Sequence, residues 1–332
     1  MKTTPFPEQP VATVLCIALN PAIDLTIEVS DLRIGEVNRA LRAQQDAGGK
    51  GINVASCLAD FGVAVAVTGQ LGHDNPSLFE ALFSGKNIGN RCLMIAGSTR
   101  VNTKVVDPAK GETTDINLPG PGQTADQIDA QIDRLKGVLD ELAATVRWVV
   151  LSGSLPPGWP ADTYAMLIRH THALGAKVML DTSGQAFDEA LKAAPDIIKP
   201  NRDELAEHLK RPLNTVDEII DAVRELFVAT PGMRLAAVSM GGEGAILVSP
   251  DDALVAHPLD VEPISSVGAG DAMVAGIIAA QLEALSIDDC ARLATAFAAG
   301  KLTRLGAHLP DINTVRSLAK KVRLSRQGQT QR

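Results

Sequence analysis

The sequence has only four cysteines, and none of them forms a C-x-x-C pair with another. This spacing argues against a cysteine zinc site and against a thiol redox motif. Histidine offers no alternative, because no H-E-x-x-H motif occurs. We therefore expect the four thiols to be reduced core residues and assign no metal to any histidine. The cysteines are Cys16, Cys57, Cys92 and Cys290.

Long apolar runs and an excess of basic residues are also missing. Residues 1–10 contain one lysine and three prolines but no hydrophobic segment of the signal-peptide type. No later run reaches the length of a membrane span. The formal net charge of −8 argues against a general surface for nucleic acid or anionic membrane. We therefore expect a cytoplasmic protein that binds a small molecule, no nucleic acid and no membrane.

Two common nucleotide-binding motifs are absent as well. The Walker A pattern G-x-x-x-x-G-K-[ST] is not satisfied, and the first predicted strand, residues 11–19, is not followed by G-x-G-x-x-G. The missing dinucleotide fingerprint disfavours a dehydrogenase. Any phosphate site must therefore come from a local cluster of basic groups and backbone N–H donors.

The 332 residues that are present suffice for one large α/β domain. Beyond residue 145, predicted strands and helices alternate as they do around a parallel sheet. Residues 25–29 and 37–45 instead alternate loosely between apolar and polar side chains, which predicts a half-exposed β-ribbon, and residues 100–106 and 113–117 add two strands to it. Because a thin sheet is marginal alone, we expect the ribbon to cover the active site, to pair with a second subunit, or both.

A glycine turn near the end of the chain leads into an apolar helix of small residues. Gly268, Ala269 and Gly270 let the backbone turn sharply and approach a ligand, while the helix directs free N–H groups and its positive dipole end to the same point. Asp271 on the first turn would then be a carboxylate beside an anion site, able to take a proton from an attacking hydroxyl. The alternative is that the glycines only shape a loop and Asp271 is an N-cap.

A second glycine-rich turn, G-G-K-G-I-N at residues 48–53, opens an earlier helix. Lys50 and Asn53 at its start would suit polar or anionic groups, unless the glycines serve packing alone. Asp24 lies just past the first predicted strand, where ligands collect in open α/β sheets. It is therefore a candidate to hold a substrate hydroxyl, or else it caps a turn.

Two further groups of polar residues are candidates for binding. Arg100, Asn102 and Lys104 share one face of a predicted strand and would offer phosphate or hydroxyl donors, unless they are solvated charges on an exposed strand. Asn201 and Glu204 follow another strand and share one helical face. They offer oxygen ligands to Mg²⁺ through its waters, or form a capping box, or both.

Taken in order, these segments resemble the ribokinase-like PfkB family of sugar kinases over essentially the whole chain. The resemblance rests on G-G-K-G-x-N at residues 48–53, K-P-N-x-x-E at 199–204 and V-G-A-G-D-A at 267–272. It implies a three-layer αβα domain with a mostly parallel sheet over residues 11–320. A small β lid is implied at about residues 24–46 and 100–118, with flexible termini at 1–10 and 321–332. It also implies a homodimer formed through the lid.

The resemblance assigns roles to individual residues. Asp271 is similar to the catalytic base, and the amides of Gly268, Ala269 and Gly270 to the anion hole. Asn201 and Glu204 match the pair associated with Mg²⁺. The positions that match sugar binding are Asp24, Gly48, Gly49, Lys50, Asn53, Asn102 and Ser154, and those that match ATP binding are Lys199, Ser239, Gly241, Gly244, Gly268 and Gly270.

Within the family, the chain looks most like the branch that acts on phosphorylated ketoses. The implied reaction is transfer from ATP to O6 of fructose 1-phosphate, with Arg100 and Lys104 as candidates for the phosphate already on the sugar. Tagatose 6-phosphate and fructose 6-phosphate are alternative substrates, and a non-catalytic sugar-phosphate sensor is a remote alternative. Two departures stand out: Ser266 replaces a common Thr, and residues 298–306 look shorter than the stretch that walls the adenine pocket and, in some members, a K⁺ site. ATP and Mg²⁺ are the implied cofactors, with K⁺ as a further candidate.

Overall fold

The computed structural model of the chain describes residues 12–264, 268–304 and 306–326. Ser266, singled out in the sequence, lies outside the described residues. The strands are β1 (Val14–Ala18), β2 (Ala22–Glu28), β3 (Arg42–Gly48), β4 (Val65–Gly72), β5 (Gly89–Asn90), β6 (Leu93–Ile95), β7 (Val101–Asp107), β8 (Glu112–Ile116), β9 (Trp148–Ser152), β10 (Lys177–Asp181), β11 (Ile197–Ile198), β12 (Leu235–Ser239), β13 (Ala245–Val248), β14 (Ala253–Ala256) and β15 (Leu324–Arg326). The helices are α1 (Lys50–Asp60), α2 (Ser77–Gly85), α3 (Ala125–Leu142), α4 (Thr163–Ala173), α5 (Gly184–Leu191), α6 (Arg202–Leu209), α7 (Val216–Ala229), α8 (Ala269–Leu282), α9 (Ile287–Leu302) and α10 (Ile312–Lys321), with a 3-10 turn at Gly241–Glu243.

The main sheet has eleven strands, in the order β15-β14-β13-β12-β11-β10-β9-β1-β4-β5 with β6 beside β4. Its strands pair in parallel from β12 to β5, and β13, β14 and β15 continue it antiparallel. Side chains alternate between its faces, so that Cys16 packs into one apolar cluster with α1, α8 and α9 while Leu15 packs into a second with α3, α4 and α7. The predicted α/β class with three αβα layers is confirmed.

A second sheet has four strands in the order β3-β2-β7-β8, and we call it the lid. β2 lies parallel to β7 and antiparallel to β3. The ribbon strand expected at residues 37–45 was placed too early, because β3 begins at Arg42. The residues before it form a loop in which Val37 is 95% exposed, so the alternation there has no face to bury.

The expected flexible end at residues 321–332 was wrong for its first part. Lys321 completes α10, and β15 pairs antiparallel with the edge strand β14. Arg326 forms ion pairs with Asp252 at 3.0 Å and Asp288 at 2.6 Å. Strand pairing and these ion pairs stabilise the start of a segment whose basic sequence allowed either fraying or a short surface helix.

The expected core position holds for three of the four cysteines, whereas Cys92 is only half-buried. The four cysteines are free thiols, and Cys16, Cys57 and Cys290 are buried. In the part of the chain that the structure describes, no helix has both the length and the apolar character needed to cross a membrane.

Candidate active site

A cavity of about 830 Å³ lies between the carboxyl edge of the main sheet and the lid. The strands of a parallel sheet all end at one edge, which is why residues far apart in the chain meet there. Fifteen of the sequence-predicted site residues line it: Asp24, Gly49, Lys50, Asn53, Arg100, Asn102, Lys104, Ser154, Lys199, Asn201, Glu204, Ser239, Gly268, Gly270 and Asp271. Gly48, Ala269, Gly241 and Gly244 are not among its lining residues.

The two glycine turns bring the first turns of α1 and α8 together in this cavity. Gly49 and Gly268 are the N-caps, with φ of 101° and 81°, a region that only glycine enters freely. Asn53 Nδ2 on α1 donates to Asp271 Oδ2 on α8 at 2.8 Å. The two motifs therefore build one site, which their separation in sequence could not show.

The amides at the start of α8 form a candidate anion site. The first described bond of this turn runs from Ala272 N to Gly268 O, and the amides of Ala269, Gly270 and Asp271 donate to no described acceptor. These N–H groups and the helix dipole favour a negative charge at this point. Both alternatives for the glycines, a loop shaped for packing and an anion site, are compatible with this geometry, and the anion site stays a prediction.

Asp271 is nearly buried, with 7% of its surface exposed. Its side chain accepts from Asn53 instead of capping α8, and the structure records no side-chain cap on that helix. The pKa of Asp271 is raised from 3.8 to about 6, mainly by burial and secondly by Asp181, while the Asn53 bond, Lys50 and Lys199 act against the rise. Such a carboxylate is charged at neutral pH and is basic enough to take a proton from a hydroxyl.

Asp181 is a site residue that the sequence analysis missed. It is 1% exposed at the end of β10, and its Oδ1 lies 3.1 Å from Lys199 Nζ and 3.5 Å from Lys50 Nζ. Ser152 Oγ donates to its Oδ2 at 3.0 Å. Burial acts to raise the pKa of Asp181, but Lys199 and Lys50 outweigh burial and the pKa is lowered. This anion fixes two cations at the floor of the cavity.

The lid turns a polar face to the cavity. Alternate residues of its strands line the cavity, as a period of two requires. Asn102 Nδ2 on β7 donates to Asp24 Oδ1 on β2 at 3.3 Å, and burial raises the pKa of Asp24. Gly48 contributes only by its lack of a side chain, because a Cβ there would lie 2.0 Å from Asp24 Oδ2. The cavity-lining lid residues are Asp24, Thr26, Glu28, Arg42, Gln44, Asp46, Ala47, Asn102, Thr103, Lys104, Val106, Thr113 and Asp115.

The two basic residues expected at the sugar phosphate already have protein partners. The Arg100 guanidinium donates to the carbonyls of Asn20, Pro21 and Leu118, at 2.9, 3.3 and 2.7 Å. Lys104 forms an ion pair with Asp115 on the neighbouring strand. Both line the cavity, so their assignment to the phosphate stays a prediction in which an incoming anion competes with these partners.

Asn201 and Glu204 form the capping box that the sequence allowed. Asn201 Oδ1 accepts from Glu204 N at 2.7 Å, and Glu204 Oε2 accepts from Asn201 N at 2.8 Å. The second carboxylate oxygen of Glu204 has no described hydrogen-bond partner. Among the described residues no group of three or more His, Cys, Asp or Glu side chains could hold a metal. The donor set thus fits Mg²⁺ held through its own waters, not a closed metal site.

The predicted nucleotide turn lies partly outside the cavity wall. Ser239 and Lys199 line the cavity, whereas Gly241 and Gly244 do not. A Cβ on Gly244 would lie 2.2 Å from Ala256 O, and its φ is 97°, so this glycine is required by the packing of β14. The cavity also includes Lys301, which the sequence analysis did not single out.

Comparison with known proteins gives the same picture over most of the chain. The model of the pfkB family carbohydrate kinases matches residues 12–314. A protein named 1-phosphofructokinase from Rhodobacter capsulatus is 45% identical over 307 residues, covering 92% of this chain and 95% of that protein. One of the same name from Xanthomonas campestris pv. campestris is 47% identical over 296 residues, covering 87% and 90%.

A solved structure extends the likeness to three dimensions. The crystal structure of a possible 1-phosphofructokinase from Thermotoga maritima superposes with a TM-score of 0.83 at 27% identity, covering 95% of this chain and 99% of that chain. The chain belongs to the pfkB family of carbohydrate kinases.

Proposed function

We propose that the chain transfers the terminal phosphoryl group of ATP to O6 of fructose 1-phosphate, giving fructose 1,6-bisphosphate and ADP. The names of the relatives at 45% and 47% identity support this substrate. The observation that carries the chemistry is Asp271, a nearly buried carboxylate with a pKa of about 6 beside amides that donate to no described acceptor. The expected place of the reaction is the cytoplasm, where ATP is supplied.

The residues of the cavity supply positioning and charge. Asp271 takes the proton of the O6 hydroxyl as that oxygen attacks the γ-phosphorus, and the bond from phosphorus to the bridging oxygen of ADP breaks. The amides of α8 hold the negative charge of the transferred group. Lys50 and Lys199, held by Asp181, keep positive charge at the floor of the cavity, while the polar face of the lid orients the ketose.

We assign Mg²⁺ to Asn201 and Glu204, because the oxygen of Glu204 without a described partner suits a water-mediated contact. When bound with the nucleotide, the ion neutralises phosphate charge. We assign Ser239, which lines the cavity at the end of β12, to the nucleotide. K⁺ stays a candidate of the family resemblance.

A coupled assay of ADP release tests the substrate. Fructose 1-phosphate, fructose 6-phosphate, tagatose 6-phosphate and free fructose are compared as acceptors by kcat/KM. We expect fructose 1-phosphate to be the best and free fructose to be poor, because a sugar without a phosphate lacks the charge-assisted contacts that Arg100 and Lys104 can offer. A higher kcat/KM on either 6-phosphate would reassign the substrate, and no turnover on any acceptor would favour the sensor alternative.

We also propose a homodimer through the lid. The loop between β2 and β3 carries Ile34 and Val37, which are 97% and 95% exposed, and the buried Asp107 carboxylate holds this loop by accepting from the amides of Asp31 and Leu32. Apolar side chains presented on a fixed loop suit a partner surface. Light scattering should give a dimer mass that falls toward the monomer when Ile34 and Val37 are both replaced by Ser, and a monomeric wild type would contradict the proposal.

A further inference from the structure

Lys301, near the C-terminus of α9, is buried in the cavity wall without the carboxylate partner that Lys199, the other buried lysine among the described residues, has. It is 3% exposed and forms no ion pair within 4.0 Å of a described carboxylate. Its described hydrogen bond goes to Arg304 O at 3.3 Å. Lys199, similarly buried, lies 3.1 Å from Asp181, and Lys86 lies 2.7 Å from Asp60. Lys301 is therefore a buried cation without an ion-pair partner among the described residues, and Asp271 and Asp46 act on it only from beyond 4.0 Å.

The side chain of Lys301 reaches the start of α8. A Cβ placed on Gly268 would lie 3.1 Å from Lys301 Cε, 3.8 Å from Lys301 Nζ and 3.9 Å from Asp271 Oδ2. The ammonium group and the proposed base thus flank the same N-cap residue. An anion held by the amides that follow Gly268 would lie beside a full positive charge as well as the helix dipole.

The energetics of burial point the same way. Burying a cation without an ion-pair partner is unfavourable, and burial lowers the pKa of Lys301 although Cys57, Asp271 and Asp46 act against that shift. That unfavourable energy is relieved when an anion enters the cavity, and most of all when negative charge develops next to the ammonium group. An ammonium group in this position therefore stabilises a negatively charged transition state more than it stabilises the enzyme without a bound anion.

We propose that Lys301 is a further catalytic residue whose ammonium group contacts the phosphoryl group while it is held at the N-terminus of α8. This inference rests on the proposed kinase function and adds a cation that comes from the chain itself.

The central experiment removes the charge in two ways. Lys301→Met keeps most of the volume, and Lys301→Ala leaves space for a small cation. Loss of one preorganised donor to an oxyanion typically lowers kcat by about 10²-fold, and we expect this loss in both variants with a much smaller change in the KM for ATP. Methylammonium, ammonium or potassium ions should restore part of kcat in Lys301→Ala and have no effect on the wild type.

A binding measurement separates this inference from the proposed reaction. Inorganic sulfate, added without sugar or nucleotide, should raise the melting temperature of the wild type and have a clearly smaller effect on Lys301→Met. Lys177→Met is the matched control, because Lys177 lies over Trp148 at the opposite, amino end of β10 and its loss changes the net charge equally. That control should respond to sulfate, and turn over, as the wild type does.

The outcomes are distinct. Wild-type kcat in both Lys301 variants, or a rate loss that no added cation restores, would overturn the proposal; the second result would indicate a structural role. A sulfate response that is the same in wild type and Lys301→Met would also overturn it. Failure of the wild type to phosphorylate any ketose would sink the proposed function, while the sulfate experiment would still test the anion contact.

Discussion

The carboxyl edge of the main sheet and the lid face each other across one cavity, and their charged side chains differ in how deeply they are buried. At the edge, Asp181, Lys199 and Asp271 are 1%, 4% and 7% exposed, and buried partners fix their positions. Across the cavity, Arg42 and Asp115 have side chains 59% and 52% exposed. Charges are strong and fixed at the edge, and screened and adjustable on the lid.

This difference suits the sheet edge to the chemical step and the lid to the selection of the substrate. A chemical step needs groups held in place in a medium of low dielectric, which the sheet edge supplies through three packed layers. Selection among similar phosphosugars needs contacts that can change without unfolding the domain, and a half-exposed sheet permits that. Substitutions at the edge should therefore change stability and kcat, whereas substitutions in the lid should change KM.

The largest effect is expected from Asp181→Asn. This change leaves Lys50 and Lys199 without the carboxylate that lies within 3.5 Å of both, and removing one partner of a buried ion pair typically costs about 3–5 kcal/mol. Denaturant unfolding should show a loss of that order. Asp133→Asn, which breaks an exposed pair with Lys136, is the control and should change stability by less than about 1 kcal/mol. Equal losses in the two variants would remove the distinction between buried and screened charge.

Asp271→Asn should lower kcat by at least about 10²-fold while the fold persists. It should also stabilise the protein at neutral pH. Burial raises the folded-state pKa of Asp271 from 3.8 to about 6, so its charged form is disfavoured in the native state. The asparagine removes that penalty, on the order of 1–3 kcal/mol. Near-normal turnover in this variant would exclude Asp271 as the base.

The same raised pKa predicts the pH dependence of the wild type. The stabilising effect of a protonated Asp271 is fully present below 3.8 and is lost as the pH rises through about 6, so the advantage of Asp271→Asn should fade on acidification. Catalysis needs the carboxylate, so kcat/KM should rise with pH through about 6. Because Asp181 helps to raise this pKa, the midpoint should fall in Asp181→Asn. An unchanged midpoint would show that another group titrates.

Local patterns in the sequence predicted many of the polar residues and glycines that lie at the carboxyl edge of the main sheet. Glycines before α1 and α8, with Asn53 and Asp271 on the first turns, are signals that a short window contains. Asp181, like Asp24, lies at the end of a predicted strand. The neighbouring sequence does not indicate which of the strand ends lie close together in the fold. That depends on β10 lying beside β9, and β9 beside β1, which is set by sheet pairing.

The lid was harder to predict because its side chains have partners from several segments. The alternation that put Arg100, Asn102 and Lys104 on one face was informative, and all three line the cavity. It could not indicate that Arg100 donates to carbonyls at residues 20, 21 and 118. Lys301 was missed for a related reason, because its lack of a neutralising carboxylate exists only in the folded packing.

Lys104→Met tests the lid side of the comparison. The change removes a cation that lines the cavity and forms an ion pair with Asp115 on the neighbouring strand. The KM for the sugar phosphate should rise by about tenfold, while kcat stays within about twofold, because the contact acts equally in ground and transition states. Steady-state kinetics with the acceptor varied measures this split, and Lys136→Met on α3 is the control. A fall in kcat with an unchanged KM would mean that the lid takes part in the chemical step.

Gly48→Ala should have the smallest effect, and it tests how tightly the lid is packed around Asp24. The new Cβ would lie 2.0 Å from Asp24 Oδ2, yet that oxygen is the end of a side chain that can rotate away, at the loss of the bond from Asn102. We expect the acceptor KM to rise roughly threefold, with little change in the melting temperature. Gly137→Ala in α3 meets no atom within 4 Å and should stabilise its helix by about 0.5–1 kcal/mol without altering KM. If Gly48→Ala instead unfolds the protein, the lid is as rigid as the sheet edge, and the division between fixed and adjustable charge does not hold.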